Sequence, residues 1–234
     1  MAPYLNPPSS DREVETSTVE PSTSAPKKIS GSIEDAPSQT FLISEPLARF
    51  QISPVEYIEQ RRPAIDRLVA GTIVAHGDTI LLVQRSRHDF GGLCWEVPGG
   101  SCDEDDLTIL GAACRELWEE SGLRATAITD LVDDQHLWSE DGLNWRKLTF
   151  LVEVQKTAQG APEVKLDPKE HEAFVWATEE DVLANCHGDI IFTWISENQR
   201  QTILEAFRML RTQKAVPLKL EASAEAQRMG DSSL

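Results

Sequence analysis

At 234 residues the chain is long enough for one sizeable domain with tails and too short for two full domains. Its 39 acidic against 22 basic side chains give a formal charge of −17, which argues against long nucleic acid as a partner. A small phosphorylated ligand stays compatible, because a divalent metal held by carboxylates reverses the local field. Cys94, Cys102, Cys114 and Cys186 show no C-x-x-C spacing, so neither a zinc site nor a disulfide framework is expected, and a reducing compartment fits. No run approaches the roughly 20 apolar residues of a membrane span, and the start has no apolar signal block. The expectation is a soluble protein without a membrane partner, cytoplasmic, with the nucleus as the alternative.

Residues 1–40 are rich in Pro, Ser and Thr and nearly free of large apolar side chains, so they read as a disordered arm. Residues 41–215 read as the folded domain, and residues 216–234 as a flexible C-terminal tail. Within the domain a short helix is expected after Ser53-Pro54, ending before Pro63. Leu68–Ala75 and Thr79–Val83, separated by His76-Gly77-Asp78, read as a hairpin. A third strand is expected at Cys94–Val97, with Pro98-Gly99-Gly100 stopping regular structure. Leu107, Leu110, Ala113, Cys114, Leu117 and Trp118 recur at helical steps, and Gly122 ends that helix. Strands are expected at Ala125–Val132, His136–Trp138, Trp145–Val154 and Phe174–Ala177, then helices at Glu179–Ala184 and Ser196–Arg211. Strands and helices alternate without a regular βαβ repeat, so the fold class is α+β, a mixed α/β sandwich.

On the central helix Glu116, Glu119 and Glu120 stand at i, i+3 and i+4 and share one face. Like charges at that spacing cost a few tenths of a kcal/mol per pair, and a hard cation would reverse that balance. Taken alone, E-x-x-E-E is most often a solvated helix face. Its context is more specific. Pro98-Gly99-Gly100, an acidic loop and then Arg115-Glu116-Leu117-Trp118-Glu119-Glu120-Ser121-Gly122-Leu123 resemble the Nudix box, G-x5-E-x7-R-E-U-x-E-E-x-G-U. The second half matches at every defined position. In the first half the acidic position counted from Gly100 falls on Asp106, and eight residues rather than seven separate it from Arg115. A one-residue insertion with Asp in place of Glu reconciles the two counts, with Asp103, Glu104 and Asp105 as rivals and Leu107 at the position counted back from Arg115. Leu81-Leu82-Val83-Gln84-Arg85, Trp95-Glu96-Val97-Pro98 and Glu170-His171-Glu172 with Trp176 are similar to segments that flank the box in that family.

The resemblance implies an α-β-α sandwich and a magnesium-dependent hydrolase, with Mn²⁺ as the alternative ion, that cleaves a phosphoanhydride bond in a small nucleoside diphosphate derivative or related organic pyrophosphate. It implies metal ligation by Glu116 and Glu120, with Glu119 a ligand or an aid to the attacking water, and an orienting role for Arg115. Asp106 would act behind the metal ligands on Arg115 or a water. Glu172 is the first choice for proton acceptor and Glu170 the second. Arg85, Gly99, Gly100 and Trp138 are candidates to meet substrate, with Arg87 and Trp145 as weaker ones. A homodimer is left open. Two other readings stand beside the hydrolase: a catalytically silent Nudix-fold ligand-binding protein, and an interaction protein that recruits partners through the arm. No Pro lies between Leu123 and Ala161 and no Tyr after Tyr57, which removes support for ADP-ribose and dinucleoside polyphosphate specificity without naming another substrate.

Overall fold

A computed structural model describes residues 40–230, with side chains described as far as Lys214. The expected arm, apart from Thr40, and residues 231–234 of the expected tail lie outside the described residues. In chain order the elements are β1 (Leu42–Ile43), a 3-10 helix (Glu45–Phe50), α1 (Pro54–Glu59), β2 (Arg67–His76), β3 (Thr79–Arg85), β4 (Trp95–Glu96), β5 (Gly99–Ser101) and α2 (Ile109–Ser121). There follow β6 (Ala125–Glu140), β7 (Leu143–Val154), β8 (His171–Ala177), α3 (Glu179–Ala184), β9 (Cys186–His187), β10 (Ile190–Ile191) and α4 (Glu197–Gly230). No helix among the described residues is long and apolar enough to cross a membrane.

Local chemistry accounts for most boundaries. The Ser53 hydroxyl accepts the Glu56 N–H at 3.1 Å and Pro54 sits in the first turn of α1. Thr178 and Asp181 close a reciprocal capping box on α3. Thr108 caps α2 by accepting the Gly111 N–H, and Gly122 ends it in the left-handed region at φ 68°. The β2–β3 hairpin turns at Gly77 (φ 63°) but pairs only Ala75 with Ile80 and His76 with Thr79 before the strands part. β2 then runs parallel to β7 and antiparallel to β5, while β3 takes β4 and β8 as antiparallel partners.

The parted hairpin makes two leaves, β1-β6-β7-β2-β5 and β8-β3-β4. Leu81 and Val83 of β3 join a core with Leu110, Leu117 and Cys114 of α2, and Ile80 and Leu82 join the opposite core with Val182 of α3 and Ile203 and Phe207 of α4. Both faces of the strand are therefore covered, which is why its sequence reads as a continuous apolar run. Burying each such Leu or Ile stabilises by roughly 1.5–3 kcal/mol. The result is an α-β-α sandwich of mixed α+β class, as the sequence leads one to expect.

The structure corrects several boundaries. Pro98-Gly99-Gly100 does not end regular structure: Gly99–Ser101 forms β5, and a side chain on Gly99 (φ 150°) would collide with the Ala70 carbonyl of β2. The strands expected separately at Ala125–Val132 and His136–Trp138 are one long β6, its register against β7 shifting at irregularities. Leu107 is not part of the helix stripe. It precedes the Thr108 cap and is 89% exposed. The last helix runs past Arg211 to Gly230, across the boundary expected for the tail at residue 216.

Candidate active site

The segment Trp95–Ser101 crosses from one leaf to the other, since β4 pairs with β3 and β5 with β2. It carries Glu96, Gly99 and Gly100 to the face of α2 that holds Glu116 and Glu120. A side chain on Gly100 would sit 2.5 Å from Glu116 Oε2, so glycine there lets the carboxylate lie against the strand. The Gly99 N–H donates to Glu120 Oε2 at 2.7 Å. Glu116 and Glu120 are buried, whereas the Glu119 side chain is 29% exposed.

Arg115 gathers the solvent side of this helix. Its Nε donates to Asp106 Oδ1 at 3.0 Å and Nη2 to Asp106 Oδ2 at 2.9 Å, a two-point contact. Nη1 donates to Glu116 Oε1 at 2.7 Å and Glu119 Oε2 at 2.9 Å, and Nη2 also reaches the Ser101 carbonyl. Burial works against the guanidinium charge, but the hydrogen bond to Asp106 and the charges of Glu116 and Asp106 outweigh it, so its pKa is raised. Of the rival acids, Asp103 comes within 3.5 Å of Arg115. The Asp103 N–H donates to Asp106 Oδ2, which ties the irregular loop to the same carboxylate.

The other side of the cluster is sunken. Burial, then the charges of Glu96 and Glu116, push the Glu120 pKa well above the carboxylate range, against the hydrogen bond from Gly99. Glu96 is buried and accepts Arg85 Nη1 at 2.5 Å. Arg85 Nε donates to the Phe90 carbonyl at 2.6 Å and Nη2 pairs with Asp89. Three of its five N–H donors thus hold Glu96 and the loop, where the sequence suggested a contact with substrate. Lys147, on β7, is buried opposite the same acids and donates to Gln199 Oε1 of α4 at 2.7 Å. Burial lowers its pKa, with Glu96 and Glu120 opposing.

Downstream, the turn before β8 is tied to the end of α2: the Lys165 N–H donates to the Ser121 carbonyl, and the Asp167 N–H to that of Glu120. This places Glu170 and His171 beside Glu120, with one donor atom of each within 4.8 Å of the others. His171 is buried, which lowers its pKa. Glu172 points elsewhere, to the Arg87 backbone N–H and in two contacts to its guanidinium, and these hold its pKa down to about 2. Trp138 stacks on Trp145 across the β6–β7 pair, centroids 5.7 Å apart and planes 13° from parallel. Trp145 is two residues from Lys147 on β7, so this aromatic pair shares the Lys147 face of the sheet.

Sequence reasoning named Glu116, Glu119, Glu120, Arg115, Asp106, Gly99 and Gly100, and the structure brings them together. It did not single out Glu96, Lys147, Gln199 or His171. The available signal was a charge inside an otherwise apolar stretch at Glu96, between Trp95 and Val97; Lys147, which follows Arg146 in a half-polar stretch, gave none.

A sequence model of the NUDIX domain matches residues 66–195. The fold is similar to the MutT protein of Methanosarcina mazei Go1, at TM-score 0.50 and 19% identity over 64% of this chain and 99% of that one. It is also similar to a MutT NUDIX hydrolase from Burkholderia pseudomallei, at TM-score 0.45 and 24% identity over 59% and 96% of the two chains. The E. coli ORF135 protein gives TM-score 0.47 and 26% identity over 62% and 90%. A comparison with curated protein sequences gives no match. The likeness to the Methanosarcina mazei protein speaks for the fold, and the sequence match, which spans more than half of the 234 residues and includes the whole Arg115–Leu123 motif, shows that the chain belongs to the Nudix family.

Proposed function

We propose that the protein is a Nudix hydrolase that cleaves the phosphoanhydride bond of a small nucleoside diphosphate derivative or related organic pyrophosphate, with Mg²⁺ as its working ion. The observation that carries this reading is the placement of Glu120, a buried carboxylate set against the charges of Glu96 and Glu116. Such a group is costly until a cation compensates it. The donors around it are carboxylate oxygens apart from the His171 imidazole, and carboxylates suit a hard divalent ion, so the residues fit the metal that the family implies.

Glu116 and Glu120 would hold that ion, which when bound neutralises diphosphate charge and favours attack of water on phosphorus. The chain's own residues do the rest. Arg115, oriented by its two-point contact with Asp106, holds Glu116 and Glu119 in place. Glu119 is the member of the triplet most open to solvent, and its carboxylate takes the proton of the attacking water. On this reading the proton acceptor is Glu119 and not Glu172, because Glu172 takes the Arg87 backbone N–H and two guanidinium contacts whereas Glu119 takes one contact from Arg115. Gly99 and Gly100 let β5 lie against β2 and the Glu116 carboxylate, which keeps the cluster against the strand, and the Trp138–Trp145 stack offers a flat wall to a ring.

The test is a panel of nucleoside diphosphate derivatives and organic pyrophosphates incubated with Mg²⁺ in ¹⁸O-water, with products resolved by mass. The expected result is release of a phosphate-containing product that carries one ¹⁸O on a phosphoryl group. No turnover across the panel with either Mg²⁺ or Mn²⁺ would contradict the hydrolase and leave the silent ligand-binding alternative.

A further inference from the structure

His171 is the part of the cluster that a site made only of carboxylates does not explain. It is 2% exposed, and neither ring nitrogen has a hydrogen-bond partner within the protein. A buried imidazole left that way forfeits its hydration without return, at a cost that native structures seldom carry without a use. A ring nitrogen lies within 4.8 Å of carboxylate oxygens of both Glu120 and Glu170. Glu120 comes from α2 and the consecutive Glu170 and His171 from the entry to β8, and both parts are held by backbone: the Ser86 N–H donates to the Glu170 carbonyl at 2.7 Å, the His171 N–H to the Asp167 carbonyl at 2.9 Å, and the Asp167 N–H to the Glu120 carbonyl at 3.3 Å. Three donor groups are thereby set around one point by the fold.

We propose that Glu120, Glu170 and His171 form a position for a divalent transition ion, bound through one imidazole nitrogen and two carboxylates. It shares Glu120 with the magnesium reading above and rests on that reading to this extent. Mg²⁺ demands oxygen ligands and gives up its water reluctantly, whereas imidazole suits Zn²⁺, Fe²⁺ and Co²⁺. A mixed nitrogen and oxygen set therefore selects the transition ion at this position. Glu170 is a ligand here, and His171 supplies the selectivity.

Co²⁺ is the probe, because an imidazole bound to it shows a hyperfine-shifted, solvent-exchangeable ring N–H proton. Metal-free full-length protein titrated with Co²⁺ should give such a signal, and His171→Asn should lose it. Calorimetric affinity for Co²⁺ should exceed that for Mg²⁺ by about a hundredfold or more in the wild type, and this ratio should fall to about tenfold in His171→Asn. Glu170→Gln, which leaves the imidazole in place, should weaken Co²⁺ by at least about tenfold, and it serves if the histidine variant does not fold. Absence of the shifted proton in Co²⁺-loaded wild type, its persistence in His171→Asn, or unchanged Co²⁺ affinity in Glu170→Gln would overturn the proposal. Hydrolysis is scored separately in the ¹⁸O panel. A protein with the ring signal and no turnover would refute the hydrolase and support the metal position.

Discussion

The two sides of the glutamate triplet on α2 differ in how their charge is met. On the solvent side Glu119 and Glu116 share one guanidinium, and Asp106 grips its other edge. On the sunken side Glu120 faces Glu96 and Glu116, and it is met by the Gly99 N–H and by the charges of Lys147 and Arg85, neither of which forms an ion pair with it. One side is a closed ion-pair network that can be stable by itself. The other places negative charge where burial penalises it. A protein core tolerates that arrangement when something else completes it, so under the proposed function Arg115 and Asp106 orient, Glu120 binds, and Glu116 belongs to both sides.

The largest expected effect is on the sunken side. Glu120→Gln should lower turnover at least about a hundredfold, because charge stabilisation at phosphorus is lost. Its melting temperature without metal should not fall, since the substitution removes a buried charge that burial and its neighbours disfavour. Steady-state kinetics and thermal melts with and without Mg²⁺ read both. A metal-free variant clearly less stable than wild type would mean that the carboxylate is compensated within the protein.

On the solvent side Glu119→Gln should also lower turnover about a hundredfold, but through the proton transfer alone. Asp106→Asn comes next, at about 10- to 100-fold, with little change in melting temperature, because Arg115 loses half of its two-point contact and its hold on the ligands slackens. Turnover and Mg²⁺ dependence untouched by Asp106→Asn would transfer the orienting role to Asp103, the other acid of the loop that reaches Arg115.

The smallest effects sharpen the comparison by their absence. Glu172→Gln breaks a pair with an exposed arginine and should leave turnover within about twofold, as surface pairs contribute little. A loss as large as that of Glu119→Gln would restore Glu172 as the proton acceptor. Leu107→Ala should leave the melting temperature unchanged, whereas Leu110→Ala, wholly buried, should cost about 2–5 kcal/mol in denaturant unfolding.

The same division governs what the sequence makes legible. Glu116, Glu119, Glu120 and Arg115 lie within one and a half turns of a helix, so spacing alone puts them on one face. Asp106 is legible only by treating the loop as one residue longer than the pattern, and its contact with Arg115 gives that insertion a physical role. Leu107 was misplaced because helical periodicity cannot tell a residue just before the Thr108 cap from one just after it. Gly99 and Gly100 read as a stop because glycine permits one, yet here the missing side chains let β5 lie against β2 and Glu116. Glu96, Lys147, Gln199 and His171 come from β4, β7, α4 and β8, and their meeting depends on the parting of a hairpin that pairs at only two positions. Nothing local in the chain encodes that convergence. The α-β-α class was legible because apolar runs and helical stripes are local; the register that assembles the sunken side is not.

The most direct test of the division between the two sides is calorimetric titration of metal-free protein with Mg²⁺, comparing wild type with Glu119→Gln and Glu120→Gln. Glu120→Gln should weaken binding by at least about a hundredfold while Glu119→Gln stays within about tenfold of wild type. Equal losses in the two variants, or a greater loss in Glu119→Gln, would contradict that division.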